Sequence, residues 1–153
     1  MKATIQAINQ MQTDGVIGKY AIGGAVGATL YLEPAATLDV DIFVTLPTIP
    51  GSLLHVVIDG WPVQFLPPSN ELEREAVAES VSTTVEGVAT WVMSAEHLVA
   101  IALNTGRSKD HIRILQFIEQ DAVNRGKLQN ILERHGLTAK WKQFEHKILG
   151  RLA

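Results

Sequence analysis

One stretch of the chain, residues 20–46, constrains the fold more than any other. It reads YAIGGAVGATLYLEPAATLDVDIFVTL, an apolar segment interrupted by a glycine pair and closed by a second apolar segment that carries two acids. Apolar runs bounded by turn residues are typical of buried strands, and Gly-Gly marks a turn. The stretch therefore predicts a strand over Tyr20–Ile22, a turn at Gly23-Gly24, a helical segment over Ala25–Leu32 and a second strand over Leu38–Leu46.

The second predicted strand carries Asp39 and Asp41. Side chains alternate between the two faces of a strand, so both carboxylates point the same way. Like charges on one strand repel each other, and Asp is a poor strand former. A hard divalent cation such as Mg²⁺ prefers carboxylate oxygens and would relieve this repulsion. The alternative is an exposed strand with a solvated Asp pair, but the strand, turn and helix that precede it favour the metal site.

The turn at Gly23 and Gly24 is the second candidate feature. Glycine has no Cβ, so the backbone can approach a ligand closely. The N–H groups at the start of the following helix would suit a phosphate group. The alternative is a tight strand-to-helix turn that binds nothing.

Together these residues resemble the signature of the nucleotidyltransferase superfamily with the polymerase-β fold, most closely minimal nucleotidyltransferases of the abortive-infection toxin type. Thr37 also fits that pattern, and Ser94–Ile114 is similar to the group's helix, Gly-Arg turn and Lys-Asp helix start. The resemblance implies transfer of a nucleoside monophosphate from an NTP to an RNA or protein hydroxyl, with Mg²⁺ or Mn²⁺ as cofactor. It makes Asp39 and Asp41 the catalytic metal ligands. The implied nucleotide-binding residues are Gly23, Gly24, Thr37, Arg107, Lys109 and Asp110.

Two positions depart from the pattern of that family. Relatives often carry a third carboxylate on a later strand, where this chain has the neutral Gln64 in the sequence PVQFL. Relatives also tend to have a lysine near the position of Leu103. The apolar side chain of Leu103 cannot contact phosphate as a lysine would. These departures favour an alternative function, a catalytically impaired nucleotide- or partner-binding module with a cognate partner in a toxin–antitoxin-like pair.

Charge is divided unevenly along the 153 residues. Residues 107–153 hold ten of the 13 Lys and Arg residues and five acids, a formal charge of +5, whereas residues 1–106 hold three cations and eleven acids, a formal charge of −8. This asymmetry indicates an anionic partner for the C-terminal part, although helices often carry Lys and Arg on solvated faces. The absence of cysteine suits a reducing cytoplasm. The N-terminus is too polar for a signal peptide, and Ala21–Leu32 is too short to span a membrane.

The remaining pattern predicts an α+β fold in one domain, residues 1–153. A small mixed β-sheet nucleotidyltransferase core with helices (1–93) is followed by a C-terminal all-helical half (94–153). We expect two hairpins, with turns at Asp59-Gly60 and Glu86-Gly87. The expected helix caps are Ser69 or Asn70, Ser108, Asp121 or Asn124, and Thr138. For the helix after Ser108, the expected buried residues are Ile112, Leu115 and Ile118.

Overall fold

A mixed β-sheet forms the centre of the N-terminal part of the protein. The structure, a computed structural model, describes residues 1–32, 40–44, 54–148 and 150. The chain divides into an N-terminal unit, Met1–Ser94, and a C-terminal unit, Ala95–Ala153. The described strands of the N-terminal unit form one six-stranded sheet, and its elements are α1 (Lys2–Thr13), β1 (Tyr20–Gly23), α2 (Gly24–Thr29), β2 (Val40–Val44), β3 (Leu54–Ile58), β4 (Trp61–Leu66), α3 (Glu71–Ala78), β5 (Val81–Val85) and β6 (Val88–Val92).

The strand order is β3-β4-β2-β1-β6-β5. The central strands β1 and β2 run antiparallel, β4 is parallel to β2, and β6 is parallel to β1. The outer pairs β3–β4 and β5–β6 are antiparallel hairpins. Asp59 and Gly60 turn the first hairpin with φ values of 50° and 79°, and Glu86 and Gly87 turn the second with 50° and 81°. Positive φ at both central residues is the geometry of a type I′ turn, so both predicted hairpins are confirmed.

One face of the sheet carries the hydrophobic core of this unit. Strand alternation places Ile22, Ile42 and Phe65 side by side across β1, β2 and β4. Ile5 and Ile8 of α1 belong to the same buried cluster and are fully inaccessible to solvent. Burying each of these isoleucines contributes about 1.5–3 kcal/mol. Because Asp41 lies between the core residues Val40 and Ile42, its side chain projects from the opposite face.

The described part of the C-terminal unit consists of helices joined by short connecting segments. Its elements are α4 (Ala95–Thr105), α5 (Ser108–Glu119), α6 (Arg125–Arg134) and α7 (Thr138–Lys147). Helix α4 contacts each of the other three. The mixed sheet followed by these helices confirms the predicted α+β fold class.

Several predicted details of the helices need correction. Asn70 and Asn124 cap α3 and α6 as expected. Ser108 and Thr138 were expected to be N-caps but are the first residues inside α5 and α7, with Arg107 and Leu137 at the cap positions. The buried face of α5 was also assigned to the wrong residues. Its buried side chains include Ile114 and Phe117, whereas Ile112 is 59% exposed and Leu115 and Ile118 are only half-buried.

No helix in the described ranges is long and apolar enough to cross a membrane.

Candidate functional site

Four residues on four strands or strand ends form a row across the sheet, hereafter the polar row. Gly23 pairs with Asp41, Asp41 pairs with Gln64, and Gln64 pairs with His55. Residues paired across neighbouring strands present their side chains to the same face. Asp41 and Gln64 are half-buried, and His55 is exposed. The polar row therefore brings a carboxylate, an amide and an imidazole onto one accessible face.

The carboxylate of Asp41 lies directly over the backbone of Gly24. A Cβ added to Gly24 would clash with Asp41 Oδ2 and would lie 3.1 Å from Asp41 Cγ. Gly24 also has φ of +58°, a conformation that side chains other than glycine's rarely adopt. Two independent constraints thus require glycine here. The predicted turn is confirmed, and it is in contact with the acidic strand.

Gly23 is constrained by packing rather than by its dihedral angles. Its backbone is extended, with φ of −122°, which any residue can adopt. An added Cβ would lie 2.7 Å from the ring of Phe43 and 3.2 Å from Met93 Sδ. Gly23 therefore leaves room for the ring of Phe43, which lies on the same face of β2 as Asp41.

Arg107 and Asp110 of the C-terminal unit bind each other. Arg107 donates from Nε to Asp110 Oδ2 at 2.7 Å and from Nη2 to Oδ1 at 3.2 Å, and its backbone N–H also reaches Oδ2 at 3.1 Å. Arg113 lies 3.7 Å from the same carboxylate. Asp110 is 1% exposed, and burial alone would raise its pKa. The hydrogen bonds from Arg107 and the charges of Arg107 and Arg113 outweigh burial, so the pKa is lowered from its ordinary value.

The other predicted site residues lie in different surroundings. Lys109 is exposed in the first turn of α5. Leu103 is buried in α4, so its side chain presents no surface to a phosphate. Asp39 and Thr37 lie outside the described residues. That Asp39 shares a strand face with Asp41 therefore stays a prediction.

His55 also belongs to this site, although its sequence surroundings do not mark it. It lies in a predicted strand without a metal-binding spacing, so no local pattern marks it. The signal was the hairpin turn at Asp59-Gly60. A two-residue turn pairs Ile58 with Trp61, and counting back along both strands pairs His55 with Gln64.

Comparison with solved structures extends this description to the whole fold. A crystal structure described as an antigenic nucleotidyltransferase-like protein from Paracoccidioides brasiliensis matches 92% of this chain and 91% of its own, with a TM-score of 0.55 and 16% sequence identity. At that identity the match shows the fold alone, which is nucleotidyltransferase-like. No family model matches the sequence, and no curated protein does.

Proposed function

We propose that this protein is a divalent-metal-dependent nucleotidyltransferase that moves a nucleoside monophosphate from an NTP to a hydroxyl group of an RNA or protein acceptor. One observation carries the proposal: the Asp41 carboxylate lies against Gly24, a turn glycine with positive φ. A metal-binding carboxylate and a backbone free of side chains are then adjacent. A metal-bound triphosphate needs both. The nucleotidyltransferase-like fold supports the same reading.

The residues around Asp41 fit a hard divalent cation. Asp41 offers carboxylate oxygens, Asp39 would offer two more, and Gln64 offers a neutral amide oxygen. Mg²⁺ or Mn²⁺ bound there would neutralise charge on the phosphate oxygens and favour attack by the acceptor hydroxyl on the α-phosphate. The bond between the α- and β-phosphates breaks, pyrophosphate leaves, and the hydroxyl proton passes to solvent. The chain itself holds the carboxylate in place through the β1–β2 register. Gly24 is half-buried and carries no side chain, so its backbone would be the part of the turn that a phosphate approaches, whereas Gly23 is buried against Phe43.

Arg107 and Lys109 are proposed to bind phosphate oxygens, and Thr37 to contact the nucleotide. The side chain of Arg107 is 56% exposed although Nε and Nη2 bond to Asp110. In this proposal Asp110 is a positioning residue, because its buried carboxylate fixes the guanidinium of Arg107. The reaction would take place in the cytoplasm, where NTPs and Mg²⁺ are supplied.

A second function is favoured by the polar row itself. The position beside Asp41 is occupied by Gln64, which lacks the charge of a third carboxylate. With fewer negative charges, a site can bind metal and nucleotide without efficient transfer. The protein would then be a nucleotide-binding module that acts through a cognate partner, as in a toxin–antitoxin-like pair.

The substitution Asp41→Asn tests both functions, because it keeps the size of the side chain and removes its charge. We expect the wild type to transfer label from an NTP in the presence of Mg²⁺ or Mn²⁺ and Asp41→Asn to lose this activity. We also expect the metal and an NTP to raise the melting temperature of the wild type but not of the variant. Asp59→Asn is the matched control, since Asp59 is an exposed turn residue of the same unit.

The outcomes separate the two functions clearly. Wild type that binds metal and NTP but labels no RNA or protein would favour the binding module. Equal stabilisation of wild type and Asp41→Asn by the metal would show that Asp41 is not a ligand, and the proposed site would be wrong.

A further inference from the structure

A cavity of about 340 Å³ lies between α6 and α7 of the C-terminal unit, and we call it the α6–α7 groove. Its volume falls in the range of small-molecule sites, about 300–1,000 Å³. Residues of both helices line it. Leu128 and Leu132 of α6 are buried and form an apolar floor, and Trp141 of α7 is a half-buried wall. The groove therefore combines an aromatic side chain with an apolar base.

Trp141 is held in place from one side. Its ring stacks on the buried ring of Phe144, with centroids 5.4 Å apart and planes 26° apart. Phe144 does not line the groove, whereas Trp141 does. The surface of the indole that reaches the groove is thus not the surface that packs on Phe144. A fixed and partly open indole can stack on a second aromatic ring.

The charged groups around the groove favour an anion. Arg125 and Lys142 line it, and neither forms an ion pair or a side-chain hydrogen bond with another residue in the described ranges. Thr138, the first residue of α7, also lines it, and no side chain caps that helix at Leu137. One carboxylate, Glu145, opposes this charge. Two cations against one acid leave the rim positive beside the aromatic wall.

We propose that the α6–α7 groove binds a nucleotide of a single-stranded nucleic acid. The base would stack on Trp141 above Leu128 and Leu132, and Arg125 and Lys142 would contact the adjoining phosphates. Stacking on aromatic side chains combined with cationic contacts to the backbone is a general mode of single-strand recognition. The groove would be the acceptor-binding surface of the transferase, and that role rests on the proposed function, whereas the binding itself does not.

Binding is measured with the full chain, without divalent metal, by fluorescence anisotropy of a labelled single-stranded RNA ten-mer at 50 mM salt. We expect Trp141→Leu to weaken binding about tenfold or more, since stacking contributes strongly to such affinities. Lys142→Gln should weaken binding and lower its dependence on salt, while Glu145→Gln should tighten it about twofold. The matched controls are Trp91→Leu, at an exposed tryptophan of β6, and Lys127→Gln, at an exposed lysine of α6 outside the groove.

A second arm identifies the source of the nucleotide. Titration of AMP is followed by tryptophan fluorescence in a Trp61→Phe/Trp91→Phe background, where Trp141 alone reports. Quenching by AMP shows that the groove accepts one free nucleotide. Quenching by the ten-mer only shows that it needs a strand, and both results support the groove.

Two results would overturn the proposal: no binding of either ligand, or equal affinity for RNA in Trp141→Leu and Trp91→Leu. Its failure is distinguishable from failure of the transferase proposal. If no transfer occurs but RNA binding depends on Trp141 and survives Asp41→Asn, the proposed RNA-binding groove is supported and the proposed transferase activity is refuted. If transfer occurs and Trp141→Leu leaves the KM for RNA unchanged, the groove is not the acceptor-binding surface of the transferase.

Discussion

At the scale of single residues, Gly24 combines a positive φ with direct contact to Asp41, the proposed metal ligand. Gly24→Ala should be destabilised by about 1–3 kcal/mol, because the new Cβ meets Asp41 and the residue keeps a positive φ. Gly60→Ala is the matched control. Gly60 has φ of +79° but nothing within 4 Å of an added Cβ, so it reports the dihedral cost alone.

Denaturant unfolding of both variants, alone and combined with Asp41→Ala, measures the difference. The excess cost at Gly24 should shrink when the carboxylate is removed, since the clash is with its oxygen. Equal costs at Gly24 and Gly60 would show that Asp41 does not lie against the turn.

Gln64 gives the second prediction at this scale. Gln64→Asp places a second carboxylate beside Asp41 in the polar row. Without metal the repulsion between neighbouring like charges should lower the stability by roughly 0.2–1 kcal/mol. With Mg²⁺ the variant should be stabilised more than the wild type, because the added carboxylate is a better ligand than an amide. Thermal melts across a Mg²⁺ titration measure both effects, and Gln64→Asn is the neutral control. A variant that gains nothing from Mg²⁺ would contradict the assigned site.

Asp110 predicts a pH dependence of stability. Its pKa is lowered in the folded protein, so its ion pair stabilises the fold fully above the ordinary carboxyl pKa of about 3.9 and loses that contribution as the pH falls through the folded value. Asp110→Asn should cost about 1–3 kcal/mol near pH 7, and its difference from the wild type should shrink in acid. Unfolding free energies between pH 2 and pH 7 test this. Glu119→Gln, at an exposed acid of the same helix, should show no such trend.

At the scale of helices and strands, a local side-chain cap marks where α6 begins. Asn124 accepts a hydrogen bond from the backbone of Lys127 at 3.0 Å, and its own backbone N–H donates to Glu96 at 3.3 Å. Asn124→Ala should therefore cost about 1 kcal/mol in unfolding free energy. Asn130→Ala, on the exposed middle of the same helix, is the control and should change stability little. Equal losses in the two variants would contradict the capping role.

The strands and turns of the N-terminal unit were largely predictable because their signals are local. Two-residue turns, apolar runs and the glycine pair fix the elements without reference to the rest of the chain. The faces of α5 were not predictable in the same way. The helix offers more than one apolar stripe, drawn from Ile112, Ile114, Leu115 and Ile118. Tertiary packing buries Ile114 and leaves Ile112 exposed.

The candidate site was predictable only in part. The contact of Gly24 with Asp41 follows from the strand, turn and helix order. The position of His55 needed the pairing of β3 with β4 and of β4 with β2, which joins residues that no local motif connects. The bond between Arg107 and Asp110 follows from their spacing at a helix start. The cap residue was nevertheless assigned to Ser108, because serine is the more common cap.

At the scale of the whole molecule, charge is segregated between the two units. Residues 1–94 contain three cations and ten acids, net −7, and residues 95–153 contain ten cations and six acids, net +4. We expect the protein to be retained on heparin resin at pH 7.5 and low salt despite its net charge of −3, because a polyanion responds to local charge. Lys142→Glu should reduce the salt needed for elution. Lys19→Glu is the matched control in the acidic unit, and equal shifts would contradict the segregation.

Three aromatic rings, those of Trp141, Phe144 and His111, follow one another in contact beside the α6–α7 groove. Trp141 packs on Phe144, and Phe144 lies 5.6 Å from the ring of His111, centroid to centroid. Phe144 and His111 line a second cavity of about 230 Å³, so the rings separate two spaces on the C-terminal unit. Where an occupant shifts the indole, the phenyl ring shifts with it, because the two rings are stacked on each other. The ring-current field at the imidazole protons of His111 then changes. The proton NMR chemical shifts of His111 would therefore report a ligand bound in the α6–α7 groove, although His111 does not line that groove.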